Sequence, residues 1–115
     1  MKIWVDDVRP APIGYIWVKS VNEAIECIEG SEIRVGMLDY NNPLCEEDIR
    51  ELSIDVIDLD YDSGDYEKDG GPYIKLMDWL VERGTLYPLA FHSQNCVGME
   101  YMKRMYRRYW LGESL

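Results

Sequence analysis

Short apolar runs alternate along the chain with amphipathic segments, and several of these runs end in aspartate or histidine. The runs predict strands at Lys2–Val5, Tyr15–Val18, Ile54–Leu59 and Leu89–Phe91. Short apolar or β-branched runs between turn signals are typical of strands buried in a sheet. Because these strands alternate with helical patterns, the sequence predicts an α/β domain with a mainly parallel sheet and right-handed crossovers.

The helices are predicted from their termini and their apolar spacing. Ser20 and Glu23 have the spacing of a capping box, and Gly30 is expected to end the helix that they begin. A second helix is expected between Pro72, which suits a first turn, and Gly84, which suits a C-terminus.

The remaining segments are predicted from weaker signals. We expect a strand at Glu32–Tyr40, a short helix at Glu46–Leu52 and a last helix from about Val97 to Trp110. One side of the last helix is basic, with Lys103, Arg104, Arg107 and Arg108. The chain of 115 residues is expected to be one domain, 1–115, in which about residues 31–53 are an insertion.

Composition excludes several classes of protein. The net charge of −10 argues against a long nucleic-acid duplex as partner, because phosphate neutralisation supplies most of such binding. No apolar run approaches the roughly 20 residues that a membrane span needs, and no signal peptide is evident. Cys27, Cys45 and Cys96 are odd in number and lack metal-binding spacing, so we expect reduced thiols and a cytoplasmic protein.

Polar residues follow the predicted strands and point to a site. Asp6 and Asp7 follow the first strand, Asp60 and Asp62 follow the third, and His92 follows the last. In parallel sheets, ligands bind beyond the carboxyl ends of the strands. Clustered carboxylates repel one another unless a cation intervenes, and Mg²⁺ or Mn²⁺ accepts such oxygen ligands. The alternative is that these aspartates cap turns and face water.

Neighbouring residues could bind a phosphate. Arg9 could form a forked contact with it, or could instead neutralise an adjacent aspartate. His92 is the single histidine, and it suits either acid–base chemistry near neutral pH or a structural hydrogen bond. Ser93 and Asn95 could donate hydrogen bonds to a phosphoryl oxygen.

Three motifs together resemble the cyclic-phosphate-processing receiver-like domains. The family's D-D-x-R-x-P is similar to Asp6-Asp7-Val8-Arg9-Pro10, although the proline here follows the arginine directly. Its L-D-H-D-x-G loop is similar to Leu59-Asp60-Tyr61-Asp62-Ser63-Gly64. Its H-S-x-N-P-x-G is similar to His92-Ser93-Gln94-Asn95-Cys96-Val97-Gly98, and the order and spacing match over most of the chain.

The resemblance implies a small three-layer receiver-like fold, truncated relative to a full receiver domain, and a divalent-metal-dependent phosphoesterase acting on a cyclic phosphate of a nucleotide or an RNA end. The roles that we expect are Asp6, Asp7 and Asp60 as ligands of Mg²⁺ or Mn²⁺, His92 and Asp60 as catalytic residues, and Arg9, Ser93, Asn95 and Tyr61 as substrate-binding residues.

Two departures from the family motifs keep other functions open. Tyr61 replaces a histidine and Cys96 a proline, and a tyrosine is a poor acid near neutral pH. One alternative is an inactive module that binds a nucleotide, or a protein at residues 31–53 or at the basic side of the last helix. A second is a phosphoaccepting signalling receiver with Asp60 as acceptor, although no later strand bearing a lysine is expected.

Overall fold

The computed structural model of the chain describes residues 1–41 and 53–113. Its sheet has four parallel strands, β1 (Lys2–Val5), β2 (Tyr15–Val18), β3 (Val56–Leu59) and β4 (Leu89–Phe91), in the order β2-β1-β3-β4. The predicted α/β fold with a mainly parallel sheet is confirmed, and the chain has a small receiver-like fold. Three of the four strands have the predicted bounds, and β3 begins two residues later than predicted.

The described residues contain three helices and one short 3-10 helix, which connect or follow these strands. Helix α1 (Val21–Asn41) follows β2, and α2 (Ile74–Arg83) follows the 3-10 helix Gly64–Lys68. Helix α3 (Cys96–Tyr109) follows β4 within one residue of its predicted bounds. Gly84 ends α2 in the left-handed conformation, with φ +73°, as its position in the sequence predicted.

The start of α1 was predicted correctly, but its end was not. Ser20 Oγ accepts a hydrogen bond of 3.0 Å from the Glu23 amide, and the Glu23 carboxylate accepts one of 2.9 Å from the Lys19 amide. The helix does not end at Gly30, and the strand expected at Glu32–Tyr40 is wrong, because α1 is helical as far as Asn41.

Tertiary contacts explain why α1 continues. Glu32 accepts a hydrogen bond of 2.7 Å from the Arg83 guanidinium at the end of α2, and it also accepts one from the Tyr87 hydroxyl. Ser31 is buried. A glycine inside a helix costs about 1 kcal/mol relative to alanine, a penalty that such contacts can offset.

The described helices pack against one face of the sheet. Ile3, Val5, Ile57 and Leu59 alternate onto this face and are fully buried with side chains of all three helices. The helix residues in this core are Val21, Ala24 and Ile28 from α1, Leu76, Met77 and Leu80 from α2, and Met102 from α3. No helix among residues 1–41 and 53–113 packs on the other face, so the described part of the fold has two layers and not the three that were expected, while the truncation relative to a full receiver domain stays a prediction.

Other predictions fall partly outside the described residues. Cys27 is half-buried in α1, where burial raises the pKa of its thiol, and Cys96 is exposed. Cys45 and the helix expected at Glu46–Leu52 lie outside the described residues, so the insertion at 31–53 stays a prediction. No helix in the described part of the chain has both the length and the apolarity to cross a membrane.

Candidate active site

Three carboxylates meet at the carboxyl ends of two neighbouring strands. Asp6 and Asp7 follow β1, and Asp60 follows β3, where its amide donates a hydrogen bond of 2.9 Å to the Val5 carbonyl. One oxygen from each carboxylate lies within 4.8 Å of the others. The structure therefore brings together the residues that were expected to bind a metal ion, while their role as ligands stays a prediction.

Asp6 is the most enclosed member of the cluster, with 1% of its surface exposed. Its Oδ1 accepts hydrogen bonds from the amides of Val8, at 2.9 Å, and Arg9, at 2.7 Å. Its Oδ2 lies 2.9 Å from His92 Nε2. These contacts fix the orientation of the Asp6 carboxylate within the cluster.

Asp7 shows the cost of bringing these charges together. Burial raises the pKa of Asp7, and the neighbouring charges of Asp6 and Asp60 raise it further, against a backbone hydrogen bond that lowers it. Gly64 closes over this carboxylate: a Cβ there would lie 2.3 Å from Asp7 Oδ2. Closely spaced carboxylate oxygens, one of them with a raised pKa, are a donor set that fits a hard divalent cation.

His92 is held between two carboxylates. Its Nδ1 lies 2.6 Å from Asp58 Oδ1 and its Nε2 lies 2.9 Å from Asp6 Oδ2. Burial lowers the pKa of His92, but the hydrogen bonds and charges of Asp58 and Asp6 outweigh burial and raise it overall. The ring also stacks on Trp4, with centroids 3.5 Å apart and planes within 8°. Since carboxylates only accept hydrogen bonds, this arrangement favours a doubly protonated, positively charged ring.

Asp58 is a site residue to which sequence reasoning gave no role. It lies inside β3, between the buried Ile57 and Leu59, and its partners in the neighbouring strands are Trp4 and Ala90. A charged residue within an apolar strand needs a partner, and this was the signal in the sequence. The partner is His92, which lies two residues beyond Ala90 and hence on the same face of the sheet.

Tyr61 and Asn95 contact the start of α3. A Cβ on Gly98 would lie 2.3 Å from the Tyr61 ring, so the ring packs directly on the first turn. Asn95 Oδ1 accepts a hydrogen bond of 3.0 Å from the Gly98 amide, which makes Asn95 the N-cap. The side-chain Nδ2 of Asn95 lies 3.5 Å from Asp62 Oδ1, and its backbone amide donates a hydrogen bond of 3.1 Å to Ser93 Oγ. These contacts shape the rim of the site, and substrate binding by Tyr61, Ser93 and Asn95 stays a prediction.

The Arg9 side chain is available for an anion. Its backbone is fixed, because its amide donates to Asp6 Oδ1 and its carbonyl accepts a hydrogen bond of 2.9 Å from Trp4 Nε1. The residue is exposed, and its guanidinium forms no ion pair within residues 1–41 and 53–113. The alternative that Arg9 neutralises an adjacent aspartate is therefore not what this structure shows.

The loop that carries the Asp60 motif is tied to the start of α1. Asp69 accepts hydrogen bonds from Ser20 Oγ at 2.6 Å and from Asn22 Nδ2 at 2.9 Å, and its carbonyl accepts one of 3.1 Å from the Asn22 amide. The bonds from Ser20 and Asn22 lower the pKa of the Asp69 carboxyl. This attachment holds the loop between β3 and α2 against the helix layer.

Comparison with known proteins supports the resemblance seen in the motifs. Residues 1–41 match the model of the cyclic-phosphate processing receiver domain family. The matched region contains Asp6, Asp7 and Arg9. Searches of curated proteins and of solved structures found no match for the chain.

Proposed function

We propose that this receiver-like domain hydrolyses a cyclic phosphate, carried by a nucleotide or an RNA end, with a divalent cation bound by Asp6, Asp7 and Asp60. The observation that carries the proposal is the convergence of these three carboxylates, with one oxygen of each within 4.8 Å. The family match over residues 1–41 supports the cyclic phosphate as the class of substrate.

Different residues of the site would bind the cation and the phosphate. Mg²⁺ or Mn²⁺ at the three carboxylates would supply positive charge for the phosphoryl oxygens. The Arg9 guanidinium, exposed and without an ion pair among the described residues, would bind the phosphate with two parallel hydrogen bonds. Ser93 Oγ accepts a hydrogen bond from the Asn95 amide, so its own hydrogen is free to donate to the substrate.

The hydrogen bonds of His92 limit the rate of hydrolysis that we expect. Both ring nitrogens are occupied by Asp58 and Asp6, so His92 first of all positions the Asp6 carboxylate. To donate a proton to the leaving oxygen, the ring must give up its hydrogen bond to Asp6. Tyr61 stands where the family motif has a histidine and packs on Gly98, so the site lacks a second histidine for acid–base chemistry, and we propose a slow enzyme.

The same contacts favour a second function, a module that binds a cyclic nucleotide without turnover. If the His92–Asp6 bond persists in the complex, the site keeps its charges but has no group to move a proton.

The first experiment tests the cation. Millimolar Mg²⁺ should raise the melting temperature of the wild type, because a ligand at 100 times its Kd stabilises the folded state by about 2.7 kcal/mol. Asp60→Asn should remove this response. Glu26→Gln changes the charge equally at an exposed position of α1 outside the cluster, and it should keep the response. A wild type that is folded and binds no Mg²⁺ or Mn²⁺ in calorimetry would refute the cation site.

The second experiment separates the enzyme from the binding module. We expect slow hydrolysis of a 2′,3′-cyclic mononucleotide, faster turnover by Tyr61→His, and much slower turnover by His92→Gln, which keeps a polar side chain near Asp6 and Asp58. A general acid contributes about 10²–10⁴-fold, which sets the loss expected for His92→Gln. Nucleotide binding that depends on Arg9, without turnover by any variant, would establish the binding module. Neither turnover nor binding would contradict both proposals.

A further inference from the structure

A groove of about 620 Å³ opens between α2 and α3, outside the site described above. Trp79 of α2 lines it together with Tyr101, Met105 and Tyr109 of α3. Tyr101 is 55% exposed and Tyr109 is 43% exposed, which is unusual for aromatic side chains grouped in one groove. Tyrosine, tryptophan, methionine and arginine are enriched in protein–protein interfaces. The groove therefore has the composition of a contact surface.

The two walls of the groove differ in net charge, with one lysine, Lys75, on the mainly acidic α2 wall. Asp78 and Glu82 line it from α2, and Arg104 and Arg108 line it from α3. Each pair has i, i+4 spacing, so its members lie one turn apart on the same side of their helix. None of the four forms an ion pair within the described part of the chain. Like charges at this spacing destabilise a helix, and neither Glu82 nor Arg108 has an oppositely charged residue three or four positions away on its own helix.

A second copy of the chain can place opposite charges against both walls of the groove at once. Because α2 and α3 each follow a strand of one parallel sheet, the two helices run in the same direction. A two-fold axis parallel to the helices sets α2 of each copy opposite α3 of the other. An axis across the helices would instead set each helix opposite itself, with like charges facing. The first arrangement has the self-complementarity that a symmetric dimer requires.

We propose that this groove is the interface of a symmetric dimer, in which Asp78 and Glu82 of each copy pair with Arg104 and Arg108 of the other. The aromatic residues between the two walls become buried in the contact. The partner predicted for the basic side of the last helix is then a second copy of this chain. Since this axis also runs along the strands, the acidic clusters of both copies lie at the same end of the dimer.

Charge reversal tests the pairing. In sedimentation equilibrium the wild type should have a mass near twice the 13.5 kDa of one chain. About 0.15 M salt is suitable, because a Debye length of roughly 8 Å limits repulsion between chains of net charge −10. Arg104→Glu with Arg108→Glu should give a monomer, and so should Asp78→Lys with Glu82→Lys. Lys103→Glu is the control: it is exposed on α3 outside the groove, and it should stay dimeric.

Mixing the two double variants is the most direct test of the charge pairing between copies. Each variant repels itself, but together they present opposite charges at both walls, so the mixture should form a one-to-one heterodimer. The two variants change net charge in opposite directions, so a shared loss of dimer is not an effect of net charge. A monomeric wild type at about 500 μM, or dimeric double variants, would overturn the proposal. A monomer that binds a single-stranded oligonucleotide through Arg104 and Arg108 would overturn it in favour of nucleic acid.

Discussion

The contact between Tyr61 and Gly98 allows a prediction about stability, because it decides whether a methyl group added at Gly98 stabilises or destabilises the fold. Gly98 lies in the first turn of α3, and a Cβ there would be 2.3 Å from Tyr61 Cγ and Cδ1 and 2.7 Å from Cδ2. Carbon atoms in favourable contact are about 3.5–4.0 Å apart, so the ring must move by more than 1 Å. Tyr61 is partly buried and packs against the core, which limits this movement.

Gly98→Ala should therefore destabilise the protein, although alanine favours helices. Overpacking costs about 1–3 kcal/mol, which for a domain of this size lowers the melting temperature by roughly 4–12 °C. Gly36→Ala is the matched control, because Gly36 lies in α1 and, among the described residues, nothing beyond its chain neighbours and its own helix backbone lies within 4 Å of the added methyl group. At Gly36 the substitution changes only the helix propensity, so alanine should raise the free energy of unfolding by about 0.5–1 kcal/mol.

Thermal unfolding of the two variants measures both effects. In a Tyr61→Ala background the obstacle is gone, so Gly98→Ala should become neutral or stabilising, and this double-mutant cycle isolates the contact. If Gly98→Ala is as harmless as Gly36→Ala in the wild type, the packing of Tyr61 on α3 is refuted.

Two further predictions concern charged side chains. Hydrogen bonds from Ser20 and Asn22 depress the pKa of Asp69, so its contribution to stability is present above the unfolded pKa and is lost as the pH falls through the folded value. Asp69→Asn should flatten the acid limb of stability against pH in urea unfolding, and an unchanged limb would contradict this reasoning. Asp58→Asn should destabilise by about 1–3 kcal/mol and lower the pKa of His92, measured by NMR titration of the ring; an unchanged pKa would show that Asp58 does not hold the imidazole.

The carboxylate cluster could be predicted from the sequence because it depends on local pattern and sheet topology. Asp6 and Asp7 follow one short apolar run and Asp60 follows another, and parallel neighbouring strands bring their carboxyl ends together. The bounds of β1, β2 and β4 followed from the same pattern.

Features that depend on distant contacts were missed. Helix α1 passes through Gly30 because Glu32 contacts residues about 50 positions away, which no local signal shows. The hydrogen bonds of His92 depend on Asp58 in a neighbouring strand, so the sequence left both a catalytic and a structural role open for this ring. Both cases required the tertiary arrangement, which overrides local propensity.

The attachment of Asp69 to the start of α1 has a consequence for the timing of access to the site. The Asn22 amide donates to the Asp69 carbonyl, and a Cβ on Gly70 would lie within 2.9 Å of the Asn22 amide nitrogen, so loop and helix are in close contact. Outward movement of the loop must break this bond and expose the amide to solvent. Hydrogen exchange at Asn22 therefore reports how often the loop opens, and a bound cyclic nucleotide should slow that exchange if opening admits the substrate.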